Sequence, residues 1–592
     1  MKNSTIKLAT LLFAAALSLN ACKEAFLEQP AVGSLSEDVL ATEAGVNGLL
    51  LGAYGALDGS AIGFDPWVTT PMNWIFGDVA GADAHKGAVG GDQSSINGVA
   101  NFSIDASNGI LNAKWTAGYE GITRTNDVLK VLEQVPEGQI DGATAQRVSA
   151  EARFLRAHYY FELRKIFGNI PWIDEQTTEL RQPNQEAVWP KIEEDFRYAF
   201  DNLPALQTQL GRVNKWAAAA YLGKTYLYQS KYLEAKAIFD QVITEGHTAD
   251  GQPYGLVDEF YKVFYAEWKN HRESVFAVQM AVNDGTNDIT NANNGNMLNF
   301  PFYSPFRCCG FYQPTQDLVN SFKTDATTGL PELTNYNQNP VKNDMRIAAD
   351  APFTPYTGPL DPRLDWTVGR RGVPYLDWGH HPGVAWLRDQ AYGGPYNSKK
   401  NIYWQATQEQ YADQSSWAPG TANNVMIIRF ADVLLMAAEA EAEAGSLEKA
   451  QSYVNLIRAR AANPSGWLHA YADAKNPLDG FSNTPAANYR IGEYPAGTFA
   501  GWGKARAKAA IHFERRIELA MEGHRFFDLV RWGDAEQTLN DFFAYESAIT
   551  TDISDGHFQS NKNEYFPIPQ IQIDRSIDAS GNATLIQNPG YN

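Results

Sequence analysis

Cysteine is almost missing from this chain: 592 residues carry three, at positions 22, 308 and 309. That count excludes a disulfide framework and a cysteine-rich zinc site. Long apolar runs are missing too, and without 18 consecutive apolar residues there is no candidate for a bilayer-spanning helix. Clustered positive charge is equally scarce. With no basic run beyond two or three residues and a formal charge of -20, a nucleic-acid surface is excluded, because binding phosphate needs grouped Lys and Arg. The Gly-x-Ser-x-Gly elbow, His-Glu-x-x-His, the Walker loop and the dinucleotide fingerprint are absent. His380-His381 lies near Asp377, but adjacent histidines diverge on a helix or a strand, so they read as a packed or solvated pair rather than as metal ligands.

What is present describes a folded protein. Hydrophobic residues make up 44% and aromatics 12%, enough for a large core or several domain-sized units. Ala152, Leu155, Tyr159, Leu163 and Ile166 predict a helix over 151–167, stopped by Gly168 and Pro171. Further helices are expected over 189–203, as a pair over 214–244, over 425–462 and over 505–523, the last closed by Gly523 as a C-cap glycine. Leu222-Gly223-x2-Tyr226 followed by Ala235-x3-Phe239 has tetratricopeptide spacing, in which small residues let two helices close and large ones fill the seam. The leading Trp of that pattern is replaced by Ala219. A weaker copy runs from Ala437 to Val454, and such pairs must stack to bury their faces. Over 281–425 no helical period persists; Gly, Pro, Asn and aromatics predict loops with short strands or helices, and loops this long are usually functional.

The N-terminus reads as an address. Lys2 and Lys7 precede a twelve-residue apolar stretch from Leu8 to Leu19, the length of a secretory h-region. Leu19-Asn20-Ala21-Cys22 resembles the lipobox of a bacterial lipoprotein. The resemblance implies a signal peptide at 1–21, Cys22 as the acylated lipid anchor (palmitate among its chains) and a lipid-anchored segment at 22–45. Several acyl groups hold a protein to a membrane without a transmembrane helix.

Downstream segments follow in order: Arg124-Thr125-Asn126-Asp127; Glu151 to Ala157, continuing through Phe167-Gly168-Asn169-Ile170-Pro171; Pro314-Thr315-Gln316-Asp317; Asp361-Pro362-Arg363-Leu364; Arg429 to Met436; Glu514 to Trp532; Pro567-Ile568-Pro569-Gln570; and Gln587-Asn588-Pro589-Gly590-Tyr591. Together with Cys22, Phe26-Leu27 and Pro30, the ordered set resembles the SusD/RagB outer-membrane lipoproteins of Bacteroidetes. The resemblance implies a mostly α fold, a tetratricopeptide-like helical-pair scaffold with an irregular, loop-rich aromatic lobe. Its parts would be an N-terminal helical region at 46–280, the aromatic lobe at 281–425 and a C-terminal helical return at 426–592. It further implies an outward-facing lipoprotein of the cell outer membrane that captures oligo- or polysaccharide and delivers it to a SusC-like TonB-dependent transporter, without catalysis or an organic cofactor. A structural calcium stays open. So do two other readings, a peptide- or protein-binding lipoprotein of the same import system and a secreted glycoside hydrolase needing two carboxylates across a cleft.

A sugar ring offers a C–H face and a hydroxyl rim, so its binder needs exposed flat aromatics beside polar side chains. Five of the fifteen tryptophans fall within 366–417, which makes Trp378, Trp386 and Tyr392 candidates. Trp67, Asn73, Trp74 and Asp83 form a second cluster, where the resemblance implies a ligand-contacting loop. Tyr303 and Arg307 form a third, next to Cys308-Cys309. A disulfide between those neighbours would close a strained ring, since adjacent Cα atoms lie about 3.8 Å apart; thiols are the alternative. In Glu514 to Trp532, charges at helical spacing predict a structural network, with Arg515 bridging Glu518 or Glu522.

Overall fold

The computed structural model describes residues 37–60, 63–285 and 291–591; Cys22 and the expected leader lie outside them. The scaffold is a stack of helices: α1 (Glu43–Gly55), α2 (Gly109–Gln134), α3 (Gly142–Phe167), α4 (Trp189–Asn202), α5 (Lys215–Tyr228) and α6 (Tyr232–Glu245), then α7 (Phe430–Ala444), α8 (Leu447–Ala462), α9 (Lys504–Leu519), α10 (Arg525–Trp532) and α11 (Ala535–Glu546). From α2 to α6 each packs on the next, and α6 packs directly on α7 across the intervening lobe. The fold is mostly α. Among the described residues no helix is long and apolar enough to cross a membrane.

Local chemistry sets the helix limits. Asp141, Asn214 and Ser446 cap α3, α5 and α8 by accepting backbone N–H bonds, which satisfies first-turn donors. Gly223 allows the predicted α5–α6 seam, because a Cβ there would lie 2.6 Å from the Phe239 ring. Gly118 and Gly121 of α2 do the same against Leu163 and Tyr159 of α3.

Three expectations need correction. α3 starts at Gly142 rather than at 151. Residues Val425–Arg429 form a strand, not the start of a helix. The helix expected to reach Gly523 ends at Leu519, because Met521 and Gly523 take φ of 62° and 78°. Gly523 is needed for contact rather than capping: a Cβ there would sit 1.8 Å from the Met72 carbonyl oxygen, and its N–H donates to Asp78 at 2.7 Å.

The lobe leaves and rejoins the scaffold on one ladder. β2 (Ser274–Val278) pairs antiparallel with β4 (Val425–Arg429), with Ser274 opposite Arg429. Within it, β3 (Phe311–Pro314) pairs with β1 (Ala84–Gly87). The end of β4 opens into a buried charge network, in which the Arg429 guanidinium meets Glu273, Glu518 and Glu522 at 2.6–2.8 Å. Arg363 of the lobe joins Glu514 and Glu518. Burial opposes charge on Glu518, yet Arg460, Arg429 and Arg363 hold its carboxyl well below the usual range. Arg515 departs from expectation: it bridges Asp432 and Asp528 on other helices, not Glu518 or Glu522 along its own.

Candidate functional site

Phe306, fully buried, is the hub of the aromatic lobe. Its ring lies 4.7 Å from Trp378, 5.4 Å from Tyr403 and 6.3 Å from Trp386, edge-on to each, the geometry that aromatic quadrupoles favour. The loop before it is held in a costly shape. Tyr303 and Arg307 take φ of 53° and 74°, in a loop held by Ser304 Oγ donating to Pro301 O at 2.6 Å and by Phe302 N–H donating to Trp386 O at 3.0 Å. Such backbone costs on the order of 1–3 kcal/mol per residue and persists where neighbours enforce it. The result is a Tyr303 side chain 75% exposed.

Four residues on, Arg307 ties this loop to the 411–417 segment. Arg307 donates to Gln414 Oε1 at 3.2 Å, and Gln414 Nε2 donates to the Tyr403 hydroxyl at 2.8 Å. Three residues on, Trp417 is 53% exposed and meets half-buried Trp67 edge-on at 5.9 Å. The structure thus brings Trp67, Tyr303, Arg307, Trp378 and Trp386 into one region, with Trp378 Nε1 donating to Tyr403 O at 2.8 Å. Tyr392 lies on the flank. Its hydroxyl donates to Asn97 at 3.0 Å and Lys86 Nζ stands 5.1 Å from its ring, while Arg388 binds Asp92 and covers Phe302. Burial lowers the Lys86 ammonium to about 8.

Three candidates are corrected. Trp74 is fully buried, packed against Phe311 and Tyr312. Asn73 is buried, donating to Glu162 at 2.7 Å, and Asp83 is buried in an ion pair with Arg516 at 2.9 Å. Trp74 and Asp83 hold the base of the β1–β3 ladder, Asn73 ties the turn before Trp74 to α3, and all three are buried away from the surface. His85 is likewise structural: burial disfavours its charge, but Asp552 and Glu546 raise it to about 10. Trp417 and Gln414 were the omissions from the candidate residues. The signal for Trp417 was its setting, a lone aromatic in Asp413-Gln414-Ser415-Ser416 with no apolar period around it.

Carboxylates near the aromatic surface serve loops. Asp377 accepts N–H bonds from Gln405 and Ala406, Asp389 from Tyr392, and Asp413 from Ser415. Burial raises Asp377. Among the described residues no three His, Cys, Asp or Glu side chains converge as metal ligands; His381 is buried, its imidazole lowered to about 4 by desolvation, whereas His380 is exposed. Cys308 and Cys309 are joined as a vicinal disulfide at the foot of the Tyr303 loop.

Comparison with known proteins agrees with this architecture. Residues 272–591 match the family model described as "SusD family", and residues 82–227 match one described as "Starch-binding associating with outer membrane". "SusD-like protein P2" of Formosa agariphila is 25% identical over 97% of this chain and 98% of its own. Among solved structures, a "Laminarin binding SusD-like protein" superposes with a TM-score of 0.63 at 25% identity, covering 93% of this chain and all of the other. A SusD superfamily protein from Bacteroides vulgatus gives 0.67 at 23% identity, covering 93% and 99%. With more than half its length matched by the family model and the same helical fold, the chain belongs to the SusD/RagB family.

Proposed function

We propose that this protein captures a glycan at the outer face of the outer membrane and hands it to a SusC-like TonB-dependent transporter, without a chemical step. The observation that carries the reading is the aromatic surface itself: Tyr303 and Trp417 stand exposed on enforced loops, with Arg307 and Gln414 beside them to meet hydroxyls. A flat apolar face with a polar rim suits a pyranose. The engagement of nearby carboxylates in loop hydrogen bonds favours binding over hydrolysis. Membership of the family and the outer-membrane description of the matched model support the location, and Cys22 would supply the anchor. The laminarin-binding relative makes a β-glucan the first ligand to test.

Calorimetry of the anchor-less protein against soluble polysaccharides, laminarin included, tests this. Tyr303→Ala, Trp378→Ala and Trp417→Ala are each expected to weaken binding by about threefold to tenfold, the scale of one lost aromatic contact. Release of reducing ends would establish a hydrolase instead, and capture of peptides with no glycan bound would establish the peptide-binding reading.

A further inference from the structure

A groove of about 830 Å3 runs along the outer face of α2, between the extended segment near 173–182 and the C-terminal stretch near 572–585. It is separate from the aromatic loops. Lys114, Gly118 and Gly121 of α2 face inward, toward Thr69, Leu163 and Tyr159; Thr116, Tyr119 and Thr123 line the groove and lie about half a turn away at roughly 100° per residue. None of its lining residues belongs to the aromatic surface.

The floor is a fixed aromatic plate. Tyr119 is held by its hydroxyl donating to Pro171 O at 2.7 Å and by the Trp115 ring 5.0 Å away. Leu180, 66% exposed, supplies an apolar wall. The rim carries the hydroxyls of Thr116 and Thr123 and the guanidinium of Arg575, for which no protein partner stands among the described residues. Other charges are matched, Glu120 with Arg124 and Glu179 with Arg181, so Arg575 leaves the groove a single positive charge, not the clustered cations that a polyanion needs. Its volume falls in the roughly 300–1,000 Å3 range of ligand sites.

We propose that this groove is a second binding site, for a short stretch of neutral oligosaccharide, independent of the aromatic loops. The plate and the leucine wall take ring C–H faces, while the threonines and Arg575 take hydroxyls. Two sites on one rigid scaffold let a single polymer engage the protein twice and gain avidity.

Titration calorimetry with laminarihexaose and other neutral hexasaccharides tests it on four forms: wild type, Thr123→Trp to plug the groove from an exposed helix position, the Tyr303→Ala/Trp417→Ala pair, and all three changes together. Two binding events are expected in wild type, one in each partial variant and none in the last, with unchanged circular dichroism. Arg575→Ala is expected to weaken the groove event about tenfold, as for one lost charge-assisted hydrogen bond. A single wild-type event untouched by Thr123→Trp and Arg575→Ala overturns the second site and leaves the loop site standing. Groove capture of peptides instead of saccharides overturns the ligand class. Absence of any saccharide binding overturns both this site and the glycan reading of the loops.

Discussion

Trp74 and Trp417 carry the same side chain into opposite surroundings, one walled in by Phe311 and Tyr312 and the other standing free beside Trp67. Trp74→Ala is expected to destabilise the fold by about 3–5 kcal/mol while the folded fraction keeps its glycan affinity. Trp417→Ala should do the reverse, changing stability by no more than about 0.5 kcal/mol; denaturant unfolding and calorimetry separate the two. The sequence could not tell them apart by residue type. Burial of Trp74 depends on partners far downstream in the chain, whereas polar neighbours around Trp417 were visible locally. His85 gives a pH signature. Its folded value is about 10 against 6.5 for the free imidazole, so its contribution is fully present below pH 6.5 and lost as pH rises through 10. The stability gap between wild type and His85→Gln should therefore shrink over that interval, at a slope approaching about 1.4 kcal/mol per pH unit, read from unfolding midpoints.

Among the elements, the helix pairs were the most legible part because a seam needs a small residue opposite a large one. Gly223→Val places a branched side chain where Phe239 already lies and is expected to cost about 1–3 kcal/mol through overpacking, despite the better helix propensity of Val; the shift in unfolding midpoint measures it. α2 was missed although it uses the same device twice. Its Gly118 and Gly121 lower intrinsic helix propensity, and only the packing on Leu163 and Tyr159 explains them. The end of α9 was misplaced for a related reason. Gly523 sits where a capping glycine would, but its lack of a Cβ serves close approach to Met72.

At the scale of the whole molecule, order along the chain was readable and contact across it was not. The motif series placed the family, yet the same motifs predicted Arg515 pairing within its own helix, and the fold sends it to Asp432 and Asp528. Removing one member of the buried network, as in Arg429→Met, takes from Glu273, Glu518 and Glu522 their shared guanidinium and leaves them buried with excess negative charge, which is expected to cost about 3–5 kcal/mol, seen as a lowered unfolding midpoint. Cys22→Ser belongs at this scale too. It should move the protein from the outer-membrane fraction to the soluble one, with binding by the purified protein unchanged.

The β2–β4 ladder gives the lobe one doorway, and the charge network beside it supplies the latch. Because Arg429 stands at the threshold and Arg363 reaches back from within the lobe to the same Glu518, the aromatic loops are bolted to the scaffold at buried points and are free to differ between them. Exchanging the surface turn 413–417 for one of another composition is expected to change the exposed aromatic surface, whereas 418–423 is buried and, with Asn424, hydrogen-bonded to the scaffold and belongs to the frame.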